Sequence, residues 1–308
     1  MVNFNNRTSN GMKKIVTHSG NFHTDEVFAC AVLSILHDGN VEIARSRERE
    51  VWVTGDYVVD VGGVYDAEVG RFDHHQEGGA GRRENGIPYS SLGLVWKHYG
   101  GQLCGSTEAA RRIDEKLVQP VDAGDNGISL FTLTSLKIFP SLLHHTVTAF
   151  RPTWKEENIH KISFDAGFAQ AMEVAKKIIS REIIIACDQL EGEAIVSEIY
   201  HKSEDKRIIV IDGQHPWEWI LTQYLEPLYV VKPDHENGGR WKVKAVRKNV
   251  DSFESRKLLP LAWAGKRDEE LVAITGVLDA RFCHNLRFIA GANNKEGALK
   301  LARIAVAA

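Results

Sequence analysis

Short apolar runs alternate with longer helical segments in the first part of the chain. Lys14–Thr17, Val41–Ala44 and Tyr57–Val61 are rich in β-branched residues and are typical of strands. Between the first two runs, Val27–Leu36 is apolar on nearly every side, which predicts a buried helix. Strands that alternate with helices favour an α/β fold. We therefore predict a mainly parallel, Rossmann-like sheet with helices on both faces.

Glycine and proline mark the predicted ends of the next two helices. A helix over about 91–99 is expected to end at Gly100–Gly101, because glycine is common just after a helix. A second helix over about 107–118 is expected to end at Pro120, because proline lacks the backbone N–H that a helix interior needs.

The pattern changes again about two thirds of the way along the chain. Residues 164–199 show helical spacing of apolar positions, and the polar stretch 201–206 is a predicted linker. Further strands and helices follow it. The predicted organisation is a disordered tail at 1–12, a larger domain at 13–200 and a smaller C-terminal α/β domain at 206–308.

Composition places the chain among ordinary globular proteins and narrows its compartment. Hydrophobic residues make up 43% of the 308 residues and charged residues 26%. The four cysteines are scattered without a CxxC pair, which favours a reducing compartment. No apolar run is long enough to span a bilayer, and the polar N-terminal stretch does not have the apolar core of a signal peptide. We therefore predict a cytoplasmic protein without a membrane partner.

The net charge of −3 is unevenly distributed. Residues 232–308 contain 15 lysines and arginines against 9 aspartates and glutamates, so this part carries +6 and the remainder −9. An acidic N-terminal part suits divalent cations, and a basic C-terminal part suits a ligand that bears phosphate. Ordinary variation of surface charge is the alternative explanation.

Residues with ligand chemistry follow the predicted strands. His18 comes directly after the first strand, Asp60 lies at the end of another, and Asp73–His75 follows a third short run. His23 and Asp25 lie near the start of the first predicted helix. Ligands of parallel sheets bind at the carboxyl ends of the strands. Imidazole and carboxylate groups suit Mn, Fe, Zn or Mg, so a divalent-cation site is predicted at this edge.

Adjacent histidines alone are weak evidence for such a site, because most pairs lie in solvated loops. His144 and His145 have no acidic neighbours in the sequence, and we predict no function for them. The pair His74–His75 differs because it directly follows Asp73.

Four stretches in a fixed order carry a resemblance to a known superfamily. They are His18-x4-His23-x-Asp25, Val58–Gly62, Asp73–Gln76 and Asp122. They resemble the four motifs of the DHH phosphoesterases, which include single-strand exonucleases, oligoribonucleases and manganese pyrophosphatases. Longer stretches are similar to one branch, the melanocyte-proliferating-gene-one-like proteins, and span nearly the whole chain. These stretches are Thr17–His23, Asp60–Asp66, Asp122–Gly127, Phe253–Arg256 and Lys295–Leu299.

The resemblance implies a role for each matching residue. Asp60 would bridge two cations, His75 would face the phosphate and Asp73 would orient an imidazole, which makes these three the candidate catalytic residues. Asp125 is either a further ligand or a cap of the following turn. The implied metal ligands are His18, His23, Asp25, Asp60, His74 and Asp122.

The first motif departs from the superfamily pattern in a way that affects which metal would bind and how tightly. The usual spacing is His-x3-Asp-x-Asp, whereas this chain is one residue longer and has His23 where the first aspartate is expected. Neutral imidazole is a good ligand, but the replacement lowers the charge of the ligand set by one. The identity and the affinity of the metal therefore stay open.

The resemblance also implies a cofactor and a place for the substrate. Two Mn²⁺ ions are expected, with Mg²⁺ or another divalent cation as the alternative. Two cations about 3.5–4 Å apart can clamp the attacking and leaving oxygens of a phosphoryl group. Arg256 and His284 are the candidate substrate-binding residues of the C-terminal domain, together with His75, and the active site is expected in the cleft between the two domains.

Three functions remain open at this point. The first is a metal-dependent phosphodiesterase, an exonuclease that trims RNA or short oligonucleotides from an end. The second is a small-molecule phosphohydrolase that acts on pyrophosphate or a dinucleotide. The mild net charge favours short substrates, because proteins that bind long strands usually have a stronger basic surface. The third is a non-catalytic metal-binding or RNA-binding protein. Oligomerisation cannot be derived from the sequence.

Overall fold

The computed structural model describes residues 11–308, except for the side chain of Asn237. The predicted tail at 1–12 lies outside the described residues, apart from its last two positions. The chain forms two compact units, one that ends at Cys187 and one that begins at Asp188. The division falls inside a long helix, and the predicted linker at 201–206 includes the last two residues of that helix.

The first unit is built on a five-stranded sheet in the order β2-β1-β3-β5-β4. Strands β1, β2, β3 and β5 run parallel to one another, and only the short edge strand β4 is antiparallel. The predicted mainly parallel sheet is therefore confirmed. The strands are β1 (Lys13–Thr17), β2 (Val41–Arg45), β3 (Tyr57–Val59), β4 (Tyr65–Asp66) and β5 (Arg71–Phe72).

Alternate residues of the central strands point to opposite faces of this sheet. Val16 and Val58 pack with Trp52 on one face, where the short helix α2 contacts β1. Helices α1 and α3 pack on each other and contact β1, β3 and β5. The helices of this unit are α1 (Thr24–Leu36), α2 (Arg49–Trp52), α3 (Ser91–Cys104), α4 (Thr107–Ile113), α5 (Gln119–Asp125), α6 (Leu143–Thr148), α7 (Trp154–Asn158) and α8 (Phe164–Lys202), which continues into the second unit.

Helix α3 continues past the predicted stop at Gly100–Gly101 and ends at Gly105, which has φ 61°. Gly100 lies against the ring of Trp96, and a β-carbon at this position would lie 2.8 Å from that ring. The indole N–H of Trp96 donates to the carbonyl of Ala110 on α4. The glycine therefore makes room for the ring that joins the two helices, and it does not end the helix.

The predicted stop at Pro120 is also wrong. A π-helical turn over Asp114–Val118 joins α4 to α5, and Pro120 lies in the first turn of α5. The first turn is where the missing N–H of proline costs least, because those N–H groups often have no partner within the helix. As a result, both Asp122 and Asp125 lie on a helix and not in a loop.

The second unit is a smaller α/β unit, as predicted. Its five-stranded sheet has the order β6-β7-β8-β10-β9, and only β6 and β7 are parallel. Val231 and Val243 face one apolar core with α11, and Val230 faces another with Leu221 of α9. The elements are β6 (Ile208–Val210), α9 (Glu218–Thr222), β7 (Tyr229–Asp234), β8 (Arg240–Ala245), α10 (Asp268–Thr275), β9 (Ala280–Cys283), β10 (Ile289–Ala292) and α11 (Lys295–Ala307).

Among the residues that the structure describes, no helix is both long and apolar enough to cross a membrane.

Candidate metal centre

Three side chains converge at the carboxyl edge of the first sheet. His18 follows β1, Asp60 follows β3 and His74 follows β5 after one residue. The Nε2 atom of His18 lies 3.3 Å from Oδ2 of Asp60, and Nε2 of His74 lies 3.3 Å from Oδ1 of the same carboxylate. Parallel strands bring these residues together because their carboxyl ends meet at one edge.

Asp60 occupies the centre of the cluster in an unusual backbone conformation. Its φ of 58° lies in the left-handed region, which non-glycine residues seldom adopt and which concentrates at functional sites. The hydroxyl of Ser91 donates to Oδ1 over 2.9 Å. One carboxylate oxygen therefore faces His18 and the other faces His74, which is the arrangement a bridging carboxylate needs.

Several polar atoms of the cluster are buried without a hydrogen-bond partner among the described residues. They include both carboxylate oxygens of Asp25, Oε2 of Glu26 and Nε2 of His74. Nε2 of His74 lies 3.2 Å from Oδ2 of Asp125 and 3.3 Å from Oδ1 of Asp60, but neither contact has hydrogen-bond geometry. Buried polar atoms nearly always have partners. Lone pairs that converge without bonding one another fit a divalent cation between them.

Ligand atoms that lie within 4.8 Å of one another form three groups. Asp60 belongs to two of the groups and His23 to two, so the groups are linked through shared residues. The groups are His18, His23, Glu26 and Asp60; Asp60, His74 and His75; and His23, Asp25 and Asp125.

Glu26 is the member of these groups that the sequence analysis missed. Its carboxylate accepts from the backbone N–H of His23 over 2.6 Å and lies 3.1 Å from Nε2 of His18. An acidic residue in the first turn of a helix is ordinary capping chemistry, so its position along the chain does not mark it as a ligand. Its complete burial is the signal that marks it, and burial becomes visible only in the fold.

The charges of the cluster balance one another through shifted pKa values. Burial would lower the pKa of His18, but Asp60 and Glu26 outweigh it and raise the pKa to about 9. Burial would also lower the pKa of His74, but Asp125 and Asp60 outweigh this effect and raise the pKa to about 10. Without a cation, protons on these imidazoles balance the carboxylates. A cation could take the place of those protons.

The two central carboxylates shift in opposite directions. Burial would raise the pKa of Asp60, but the imidazoles of His18 and His74 outweigh this and hold its pKa well below the usual range. Burial, and then repulsion from Asp60, Asp125 and Glu26, raises the pKa of Asp25 well above its usual range. Asp60 is therefore ionised, whereas Asp25 needs a nearby positive charge to ionise.

His75 and Asp73 form a pair beside the cluster. Oδ1 of Asp73 lies 2.8 Å from Nδ1 of His75 and accepts from the backbone N–H of His75, while its Oδ2 accepts from the N–H of Gly63 over 2.6 Å. The hydrogen bond with Asp73 raises the pKa of His75, against the opposing effect of burial. The His75 side chain is 60% exposed and lines a cavity, so it is free to meet a ligand.

The structure does not bring Asp122 into the three ligand groups, whereas it does bring Asp125. Oδ1 of Asp122 accepts from Ser90 over 2.5 Å and from the N–H of Gly93 over 3.0 Å, and Oδ2 accepts from Arg83 over 2.6 Å. Arg83 also forms a two-bond ion pair with Asp114. We call Arg83, Asp114, Asp122, Ser90 and Gly93 the Arg83 network. Both carboxylate oxygens of Asp122 thus have hydrogen-bond partners within the fold.

Arg256 and His284, the predicted substrate-binding residues of the second unit, have local partners. The guanidinium of Arg256 donates to the carbonyls of Thr222 and Pro227 over 2.9 and 3.1 Å. His284 accepts from the N–H of Leu286 and is exposed. Arg256 therefore stabilises its own unit, and a contact of either residue with substrate stays a prediction.

A cavity of about 1240 Å³ opens beside the cluster within the first unit. The ligand residues form one part of its wall. The other parts include Arg47, Trp52, Phe131, Leu142, His144 and Arg151.

The fold and the cluster define an α/β protein with an imidazole–carboxylate centre suited to divalent cations. The chain belongs to the MYG1 exonuclease family: the family model, described as an uncharacterised protein family (UPF0160), matches residues 14–306. The MYG1 exonuclease of Mus musculus is 34% identical over 96% of this chain and 85% of its own length. The Homo sapiens MYG1 exonuclease is 33% identical over 96% of this chain and 86% of its own length. The MYG1 protein of Schizosaccharomyces pombe is 31% identical over 96% of this chain and 98% of its own length.

Proposed function

We propose that this protein is a divalent-metal-dependent exonuclease that hydrolyses RNA or short oligonucleotides from an end. The observation that carries the proposal is the position of Asp60, whose two carboxylate oxygens each lie 3.3 Å from an imidazole nitrogen, of His18 on one side and of His74 on the other. The exonuclease names of the relatives support the choice of substrate class. Assignment to the DHH superfamily is part of the proposal.

The residues of the cluster have complementary roles in this proposal. His18, His23, Glu26 and Asp60 would hold one cation, and Asp60, His74, Asp25 and Asp125 supply ligands for a second. Two Mn²⁺ or Mg²⁺ ions held there would stabilise the charge on the reacting phosphate and supply a nucleophile at neutral pH. The ligand set is rich in carboxylate and imidazole and contains no thiolate, which suits these cations.

His75 is the candidate acid of the reaction. Asp73 fixes the imidazole and raises its pKa, so that it carries a proton more readily near neutral pH. A positioned imidazolium can hold the phosphate or donate a proton to the leaving oxygen. Asp73 acts through His75 and is therefore a positioning residue.

The test is a Mn²⁺- and Mg²⁺-dependent assay that compares end-labelled RNA, end-labelled DNA, a dinucleotide and pyrophosphate. Stepwise shortening or mononucleotide release from RNA, lost when the metal is chelated, is the expected result. Cleavage of pyrophosphate alone would identify a small-molecule phosphohydrolase. Absence of cleavage of any substrate by metal-loaded protein would identify a non-catalytic binding protein.

A further inference from the structure

Two arginines in the wall of the cavity have no carboxylate partner among the described residues. Arg47 follows β2 at the same edge of the sheet, where its Nε donates to the carbonyl of Ser19 over 3.3 Å and its Nη2 lies 3.2 Å from Nδ1 of His18. Arg151 donates to the carbonyl of Phe22. Both guanidinium groups therefore lie beside the loop that carries His18 and His23.

Arg45, a neighbouring arginine, has its charge neutralised by an acidic residue. Arg45 donates to the carbonyl of Gly20 over 2.7 Å and also forms a 2.7 Å ion pair with Asp165. Arg45 thus forms an ion pair with an acid, whereas Arg47 and Arg151 form none among the described residues. Unmatched guanidinium groups beside a cavity suit an anionic ligand, and their planar fork matches phosphate.

Apolar side chains of a long irregular segment between α5 and α6 also line the cavity. Ile128, Leu130, Phe131 and Leu142 of this segment line the cavity. Leu130 is 53% exposed and Leu142 39% exposed. Irregular loops of more than about 12–15 residues are usually functional, and contiguous exposed apolar side chains often mark a binding surface.

The cavity wall therefore combines two arginines, apolar side chains that include the aromatic ring of Phe131, and the candidate metal ligands. We infer that it is a nucleotide subsite in which the ring of Phe131 contacts a base and Arg47 and Arg151 contact phosphate. The inference rests on the proposed function, because it takes the ligand to be a nucleotide unit of the substrate. A nucleotide has the matching chemistry, a flat base at one end and an anion at the other.

The cavity is large enough to hold a mononucleotide. Pockets for small molecules have volumes of roughly 300–1000 Å³, so a cavity of about 1240 Å³ has room for a mononucleotide together with the cations. Stacking of an aromatic side chain on a base strengthens binding by a factor on the order of ten to a hundred. Phe131 is consequently a specificity residue that distinguishes a nucleotide from inorganic phosphate.

Equilibrium binding tests the subsite without requiring turnover. The full chain is titrated with adenosine 5′-monophosphate and, separately, with inorganic phosphate, each in the presence of Mn²⁺. Phe131→Leu is expected to weaken binding of the mononucleotide about tenfold and to leave phosphate binding unchanged. Phe131→Tyr keeps the ring and should restore binding. Arg47→Met should weaken binding of both ligands.

Two matched controls come from the same parts of the chain. Ile138 is exposed in the same segment but does not line the cavity, so Ile138→Ala should bind the mononucleotide like the wild type. Arg49 is an exposed arginine two residues from Arg47 and also lies outside the cavity wall, so Arg49→Met should bind both ligands normally. Arg47 is exposed and Phe131 is half-buried, so their variants should melt at the wild-type temperature.

The outcomes separate this inference from the proposed function. If Phe131→Leu and Arg47→Met bind the mononucleotide as tightly as the wild type, or if the wild type does not bind it, the subsite is wrong. If the variants behave as expected but the wild type cleaves no phosphodiester, the subsite stands and the exonuclease proposal fails.

Discussion

Two acid-rich regions meet at helix α5, and their carboxylates are in opposite situations. In the Arg83 network, both carboxylate oxygens of Asp122 accept hydrogen bonds, from Arg83, Ser90 and Gly93. In the metal centre, the buried oxygens of Asp25 have no hydrogen-bond partner among the described residues. Helix α5 thus carries Asp122, whose oxygens are bonded within the fold, and, one turn further along, Asp125, whose carboxylate belongs to the candidate metal centre.

The contrast shows how burial should be interpreted in this molecule. A buried carboxylate that has an arginine and two N–H or O–H donors stabilises the fold. A buried carboxylate that faces other carboxylates without hydrogen bonds is repelled by them unless a positive charge is present. Substitution in the first region should therefore change stability, and substitution in the second should change metal binding.

The largest effect is expected from Asp60→Asn, which keeps the shape of the side chain proposed to bridge two cations and removes its charge. Activity should fall by orders of magnitude, and the stability of the metal-free protein should also fall, because Asn no longer pairs with the imidazoles of His18 and His74. The wild type should gain thermal stability with excess Mn²⁺, and the variant much less. Melting curves with and without Mn²⁺ measure both effects.

Asp38→Asn is the matched control for this variant. Asp38 is an exposed aspartate with φ 54°, close to the φ of 58° at Asp60, so the same chemical change is made in the same backbone conformation. The control should keep the full metal-dependent shift. A full shift in Asp60→Asn as well would exclude Asp60 as the bridge.

A reciprocal pair of variants on α5 tests the comparison directly. Asp125→Asn should lower metal affinity and activity, and should lower the stability of the metal-free protein through the lost contact with His74. Asp122→Asn should lower stability by about 1–3 kcal/mol, because Asn is a weaker partner for Arg83 while burial already raises the pKa of the Asp122 carboxyl to about 6, but it should retain metal binding. Urea unfolding and metal titration of both proteins provide the measurements. The opposite pattern of metal binding would make Asp122 the ligand.

Arg83→Met tests whether the Arg83 network acts only on stability. The variant removes the ion pairs with Asp114 and Asp122 and should lower the free energy of unfolding by a few kcal/mol. The number of Mn²⁺ equivalents bound at saturation should not change. Arg82→Met, at the exposed neighbouring position, should stay within about 0.5 kcal/mol of the wild type. A loss of bound metal in Arg83→Met would show that the two regions are not separate.

The smallest expected effect is the release of protons when metal binds. The pKa values of about 9 for His18 and about 10 for His74 mean that both imidazoles are protonated at pH 7.5 in the metal-free protein. Mn²⁺ should displace up to two protons, so the calorimetric heat of binding should depend on the ionisation heat of the buffer. Equal heats in all buffers would contradict the raised pKa values.

The same shifts predict how the stability of the metal-free protein depends on pH. A histidine whose pKa is raised by folding stabilises the protein fully below its unfolded pKa of about 6.5, and this contribution is lost as pH rises through the folded pKa. The contribution of His18 and His74 should therefore decline from neutral pH to about pH 10. Urea unfolding at several pH values, with metal chelated, measures this decline.

The placement of His18, Asp60 and His74 could be predicted from the sequence because strand ends and topology are local properties. Each residue follows a short β-branched run, and parallel pairing then brings the three together. The family resemblance was also visible in motifs spread along the chain, and the family is confirmed.

The hydrogen bonds of Asp122 and the position of Asp125 beside His74 could not be predicted from the sequence. Pro120 suggested that the helix ends, whereas the π-helical turn before it lets a new helix begin there. The side to which each aspartate points depends on this turn. The partners of Asp122 also come from distant positions, Arg83 and Ser90, which no local pattern connects.

The most direct test of the two-cation centre is anomalous diffraction from crystals soaked in Mn²⁺. The account predicts two Mn peaks separated by about 3.5–4 Å, one on the His18 side of the Asp60 carboxylate and one on the His74 side. A single peak, or a peak at the carboxylate of Asp122, would contradict it.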